Sequence, residues 1–265
     1  MIILSFDSAV NNLGLCCINF DDKYYIKLYS CIWRLIPKII QLKFLLNIKI
    51  INTNHKVNSL INFLHNILTI IKKISCIITN IISIIYINNV NLISKKSAKS
   101  TTLLERTTAL KSVLNSLDRL LPMPNIILIE YQMRQNYITQ SISHQIAYHY
   151  ANIYDCDISN GLIKNNMINL TSHNSLFNKK RTIYMIPPSL KKSCILAPNG
   201  KYSNFIQQWS NYTANKKQAD FNFKYFIQLF NQAECIEILK QFKKTNDIAD
   251  AFIIIICWLK KIKKL

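Results

Sequence analysis

Asn125–Tyr131 reads N-I-I-L-I-E-Y. A run this short and this apolar, following Pro122 and Pro124, marks a strand buried on both faces. Such strands lie in the middle of a sheet covered by helices, so the fold class is α/β with a mixed sheet. Upstream, Leu103, Leu104, Leu110, Val113, Leu114, Leu117 and Leu120 recur at helical spacing and predict a helix that the two prolines end. Downstream, Tyr137–Tyr154 is a predicted helix, residues 155–181 a polar loop, and Thr182–Ile186 a short strand closed by Pro187-Pro188. The N-terminus reads as three strands, Ile2–Phe6, Leu13–Phe20 and Tyr24–Ile32, with Asp21-Asp22-Lys23 as a hairpin turn. Residues 35–96 mix Ile and Leu runs with Asn and Lys, and are predicted to be a low-complexity insertion carrying helices within a single domain spanning residues 1–265. Lys216–Leu239 offers one or two amphipathic helices, and Asp247–Leu259 a last, very apolar one.

The chain carries 33 Lys+Arg against 13 Asp+Glu, a formal charge of +20, which favours anionic partners. Half of its residues are hydrophobic, enough for a large core and too many for a disordered chain. Its 3 glycines, Gly14, Gly161 and Gly200, are far apart, which excludes the clustered-glycine phosphate loops and with them nucleotide-binding enzymes of those designs. The 8 cysteines show neither C-x-x-C pairing nor a partner His at zinc spacing, and read as buried free thiols in a reducing compartment. Ile74–Ser94 is uncharged over about a bilayer's thickness, but its four asparagines argue against a membrane span.

Acids are scarce, so their positions carry information. Asp7 ends the first strand, Glu130 ends the central one, and Asp247 and Asp250 stand three apart at the start of the last helix, on one helix face. If that helix packs across the ends of neighbouring first and central strands, all four carboxylates meet. Like charges so gathered need a compensating cation, and Mg²⁺ or Mn²⁺ suits carboxylate oxygens. Taken singly, Asp247 is also an ordinary helix-start residue, Asp7 an ordinary strand-end residue, and Arg134 a plain salt-bridge partner for Glu130. The 5 histidines fall outside this set and read as surface or packing residues.

Leu4–Gly14, L-S-F-D-S-A-V-N-N-L-G, resembles the first motif of the RuvC-like Holliday junction resolvases, in the branch shared by poxviruses and fungal mitochondria. Asp7, Asn12 and Leu13 match, while Ala9 stands where that branch has Gly. Ile126–Arg134, I-I-L-I-E-Y-Q-M-R, is similar to the second motif through Glu130, Gln132 and Arg134. Lys243–Ala251, K-K-T-N-D-I-A-D-A, is similar to the final motif through Lys243, Lys244, Asp247 and Asp250, with Asn246 replacing the first acid of a pair. The resemblance implies an RNase H-like five-stranded mixed sheet with the acids at its centre, acting as a homodimer on four-way DNA junctions. It implies Asp7, Glu130, Asp247 and Asp250 as catalytic metal ligands, with two ions activating a water and stabilising the leaving 3′ oxygen, and no small-molecule cofactor.

Positive charge clusters at Lys179-Lys180-Arg181, Lys191-Lys192, Lys216-Lys217, Lys243-Lys244 and the C-terminal lysines. Lys191, Lys192, Lys216, Lys217, Lys243 and Lys244 are therefore expected on DNA phosphates, with Asn12 and Arg134 of the matched motifs beside them; for any one pair the plain alternative is a solvated face. The expected function is a Mg²⁺-dependent endonuclease resolving four-way junctions by paired nicks. Its rivals are another RNase H-like nuclease and a basic nucleic-acid-binding or membrane-associated structural protein without catalysis. Because the first strand starts at residue 2, no presequence is expected, and the poxvirus side of the resemblance implies host cytoplasm over mitochondrion, without secretion.

Overall fold

The computed structural model describes residues 1–9, 11–21, 54–93, 100–131, 136–154, 157–160, 181–192, 211–229 and 232–262, with isolated positions between 23 and 38. Among the described residues six strands form one sheet: β1 (Ile2–Ser8), β2 (Asn12–Phe20), β3 (Ile82–Asn91), β4 (Ile126–Glu130), β5 (Asp157–Asn160) and β6 (Thr182–Ile186), in the order β3-β2-β1-β4-β6-β5. The first five places in that order make the mixed, RNase H-like sheet expected from the sequence, and β5 adds a short strand at the far edge. β1 runs antiparallel to β2 and parallel to β4, which in turn runs parallel to β6. Among the described residues the helices with defined bounds are α1 (Asn54–Ile81), α2 (Leu103–Leu120), α3 (Tyr137–Tyr154), α4 (Ser189–Lys192), α5 (Asn211–Leu229), α6 (Ala233–Leu239) and α7 (Asn246–Lys261).

The third strand of the meander is not Tyr24–Ile32. Lys23, Tyr24, Lys27, Ser30 and Cys31 are helical, and the Asp21 carboxylate accepts the backbone N–H groups of Lys23 at 2.8 Å and Tyr24 at 3.4 Å. Asp21 thus satisfies donors at a helix start instead of turning a hairpin. The third strand is β3, from the end of the segment read as an insertion. It is antiparallel to β2, since Leu92 N–H donates to Asn11 O at one end and Asp21 N–H to Ile81 O at the other. Within the uncharged stretch Ile74–Ser94, residues 74–81 are accordingly the end of α1 and residues 82–91 are β3. No helix among the described residues is long and apolar enough to cross a membrane.

The chain divides into two compact units, one of residues 1–19, 84–228 and 232–265, the other of 20–83 and 229–231. In the second unit α1 turns Ile67 inward and leaves Ile61, Leu64, Leu68 and Ile71 exposed. The first unit holds the sheet centre and is layered helix, sheet, helix. Side chains alternate along a strand, so Leu4, Phe6, Leu13, Leu15, Ile127 and Ile129 share one face, where they pack on Leu110, Leu114 and Leu117 of α2 and Ile142, Ile146 and Tyr150 of α3. α2 is held at its start by a reciprocal cap between Thr102 and Glu105. On the other face lies α7, whose residues Ile248–Leu259 are all buried because it is covered on both sides. It packs on β1 and β4, and Phe252 meets Phe223 and Phe226 of α5.

Cys16 and Cys17 lie in β2 with no exposure, and Cys235 and Cys257 are likewise buried, whereas Cys76 is exposed. Burial pushes the Cys17 thiol up to about 12 and the Cys235 thiol to about 11. A thiol at 12 is thiolate to roughly one part in ten thousand at pH 8. Iodoacetamide at pH 8 should label Cys76 in the native protein and reach Cys16, Cys17, Cys235 and Cys257 only after unfolding, as followed by peptide mass mapping. Rapid native labelling of Cys16 or Cys17 would contradict the packing of β2.

Candidate active site

Asp7 sits near the end of β1, and its neighbour in the antiparallel register is Gly14 of β2. Cross-strand partners present their side chains on the same face, so the missing side chain at 14 leaves open the surface beside the Asp7 carboxylate. The first turn of α7 fills it. A Cβ at position 14 would stand 2.1 Å from the carbonyl oxygen of Asp247 and 2.4 Å from its carbonyl carbon. That close approach requires glycine, and it brings Asp247 and Asp250 to the strand ends. On the other side of β1, the pairing Phe6–Ile129 places Glu130 one step further along β4, next to Asp7.

The four carboxylates expected from the sequence therefore come together. They are joined by two ammonium groups. Lys191, in α4 just past β6, places Nζ 3.1 Å from Asp7 Oδ1, 2.9 Å from Glu130 Oε1 and 3.4 Å from Asp250 Oδ2. Lys216 of α5 places Nζ 2.5 Å from Asp250 Oδ2, 3.2 Å from Asp247 Oδ1 and 4.0 Å from Asp7 Oδ2. Asp7 and Asp250 thus each face both lysines, while Glu130 faces only the first and Asp247 only the second. Asp7, Glu130 and Asp250 are buried and Asp247 is partly so.

Burial pushes Asp7 up to about 8, against the pull of Lys191, with the Glu130 charge adding to the rise. In its protonated form Asp7 donates a hydrogen bond to Glu130. Asp250 is also raised, by burial first and by Asp7 second. For the two lysines burial disfavours the charge, but the carboxylates outweigh it and hold both ammonium groups above the ordinary lysine value.

Other polar groups fix the acids in place. Ser8, whose side chain points to the opposite face from Asp7, donates to the Glu130 carbonyl at 2.9 Å and lies 2.7 Å from the Ser143 hydroxyl. Ser143 Oγ is itself 2.8 Å from that carbonyl and 2.9 Å from the carbonyl of Thr139. Asn12 Nδ2 donates to Asp247 Oδ2 at 3.4 Å, so this residue, expected beside DNA, reaches an acid of the cluster. Thr245, which precedes α7, donates its hydroxyl to Asp220 of α5 at 2.6 Å.

Of the basic residues expected on DNA, Lys191 and Lys216 lie in the acid cluster. Lys217, Lys243 and Lys244 are exposed. Arg134 and the Lys192 side chain lie outside the described residues, as do Gln132, Lys179 and Lys180. His149 pairs with Asp118 at 2.8 Å and His144 stacks on Tyr131, both away from the four acids. Sequence reasoning missed Gly14, Ser8, Ser143 and the position of the two lysines. Only Gly14 left a signal, as a lone glycine inside a strand pattern, which marks close backbone approach.

Among the described residues no three His, Cys, Asp or Glu side chains are set as ligands around one point. The donor set nonetheless suits a hard cation. Its donors are all carboxyl oxygens, three of the four groups are buried, and four acids face only two ammonium groups.

No protein-family model and no curated protein matches the chain. Among solved structures it is similar to that of fowlpox virus resolvase in complex with its substrate Holliday junction DNA, at 15% identity and a TM-score of 0.43 over 98% of each chain. It is also similar to the crystal structure of the fowlpox virus Holliday junction resolvase, at 14% identity and a TM-score of 0.39 over 98% of this chain and 99% of that one.

Gly14→Ala tests the contact that assembles the cluster. The added methyl meets backbone, which cannot rotate away, so the start of α7 must shift. The variant should lose ~1–3 kcal/mol of stability, the usual cost of overpacking, measured by urea unfolding. A Gly14→Ala protein with wild-type stability would show that α7 does not rest on β2 at this point.

Proposed function

We propose that the chain is a divalent-metal-dependent DNA endonuclease that cuts four-way junctions. The observation that carries this is the convergence of Asp7, Glu130, Asp247 and Asp250, from two strands and a helix, in a chain of net charge +20. An acid cluster in so basic a protein is a poor phosphate site by itself, and a divalent ion makes it a good one. The junction as substrate rests on the three motifs that resemble the RuvC-like resolvases, because those motifs supply the four acids.

Asp7, Glu130, Asp247 and Asp250 would hold Mg²⁺ or Mn²⁺. Such ions lower the pKa of an attacking water and neutralise the charge developing on the leaving oxygen. The work of the chain itself is positional. Ser8 and Ser143 fix the Glu130 backbone, Asn12 orients Asp247, and Gly14 lets the α7 acids reach β1. Lys243 and Lys244, exposed just ahead of α7, would contact the phosphate backbone of DNA running to the acids. A junction is nearly two-fold symmetric and one chain supplies one acid set, so paired nicks call for a C₂ dimer.

Asp250→Asn keeps the side-chain shape and removes one negative donor. Single-turnover cutting of a labelled four-way junction with Mg²⁺ should fall by orders of magnitude, while gel-shift affinity without metal holds or rises. Near-normal cutting by the folded variant would refute the metal-site assignment. A linear duplex and an RNA–DNA hybrid in the same panel decide the substrate, and junction binding without any cutting would favour a structural DNA-binding protein.

Exposed lysines have their own test. Log K for junction binding should fall linearly with log salt, and replacing Lys243 and Lys244 together by Ala should flatten the line by up to about two phosphate contacts. An unchanged slope would return both to a merely solvated role.

A further inference from the structure

Lys216 differs in kind from the exposed lysines around it. Its neighbour Lys217 is exposed, whereas Lys216 Nζ is drawn onto three of the four acids, closest to Asp250 and next to Asp247. Those two aspartates lie three apart on one face of α7, and Lys216 reaches them from α5, the helix that covers α7 through Phe223, Phe226 and Phe252. No motif that resembles the resolvases includes Lys216. Its side chain is only one-fifth exposed, so its charge is shielded from bulk salt and acts on the aspartates at full effect.

We infer that Lys216 is a resident counter-cation of the acid cluster, one that holds the Asp247–Asp250 pair in the metal-free protein and is displaced when a divalent ion enters. This rests on the metal reading above. A monovalent ammonium and a divalent ion cannot occupy the same oxygens, because their mutual repulsion adds to the loss of shared ligands. The lysine therefore keeps the metal-free acids from repelling one another apart, and it weakens metal binding by the work needed to remove it. In the metal-free protein Lys191 does the same on the Asp7 and Glu130 side of the cluster.

The consequence for phosphate is equally specific. A displaced Lys216 carries its charge out of the cluster while staying on α5, close to the backbone being cut, so metal entry converts it from an internal ion-pair partner into a cation free to meet DNA.

The test uses the full chain without DNA, Mn²⁺ as the probe, and isothermal titration calorimetry as the reading. Lys216→Met should bind Mn²⁺ about tenfold more tightly than wild type or better, since one repelling charge beside the ion is gone. Lys216→Arg, which keeps the charge, should stay within a few-fold of wild type. In EDTA the Met variant should melt below wild type, and Mn²⁺ should raise its melting temperature by more. Wild-type protein supplies a reading that needs no variant to fold. With an amine-reactive acetyl ester in EDTA, Lys216 should label far more slowly than Lys217, and Mg²⁺ should speed Lys216 alone. Unchanged Mn²⁺ affinity in Lys216→Met, or Lys216 labelling that Mg²⁺ does not alter, overturns the inference. Asp250→Asn separates the two claims. If it binds Mn²⁺ like wild type the metal reading itself fails; if it loses Mn²⁺ while Lys216→Met is unchanged, only the role of Lys216 falls.

Discussion

Mutual repulsion among carboxylates held in one buried place is the constraint around which this structure is arranged. Asp7, Glu130 and Asp250 are each almost fully buried, and burial, helped by the Glu130 charge, raises Asp7 to about 8 even against the pull of the lysines. Isolated, such groups would protonate or drive the elements apart. The chain instead sets Lys191 and Lys216 among them, each touching three acids, with Asp7 and Asp250 common to both. The arrangement is a network in which each lysine is shared by three acids, so removing either lysine leaves several acids less compensated.

A network of this kind can only be held by a stiff frame. β1 and β4 are buried on both faces, and their parallel register sets Asp7 beside Glu130 without help from side chains. The third contributor, α7, is covered by the sheet on one side and by α5 on the other, which is why twelve successive residues of it are buried. Its height above the sheet is decided at Gly14, where backbone meets a position with no side chain. Stability and site geometry are therefore the same property here. The apolar faces that hold α7 down also hold Asp247 and Asp250 in place, and a loosened core would separate the acids before it unfolded the domain.

How far the sequence discloses this depends on whether a contact leaves a local pattern. β4, β6, α3 and α7 are legible because each is apolar at its own period and is closed by proline or polar residues. β3 is not, since Ile82 follows α1 directly with no Gly or Pro between, and Asn88, Asn89 and Asn91 blur its alternation. Residues 24–32 mislead in the opposite way. Their Tyr and Ile content favours a strand, but Asp21 starts a helix there, and tertiary context prevailed over propensity. The acids could be found because they end strands or share a helix face. Lys191 and Lys216 could not be separated from the other lysines, because what distinguishes them is where α4 and α5 lie in space.

The distribution of positive charge follows from the same constraint. In a chain of +20, an acid cluster facing solvent would be filled by any mobile lysine, and its negative charge would repel the phosphate that the rest of the surface attracts. Two lysines fixed on neighbouring elements resolve both problems. They neutralise half of the formal charge of the four acids, and while they are held in the cluster neither serves the outer surface. The exposed pair Lys243-Lys244 is left free for that second task, and it sits immediately before the helix that carries two of the acids. Under the proposed function, phosphate attraction and metal binding demand opposite local charge, and the exposed Lys243-Lys244 pair stands only a few residues ahead of the partly buried Asp247 and the buried Asp250.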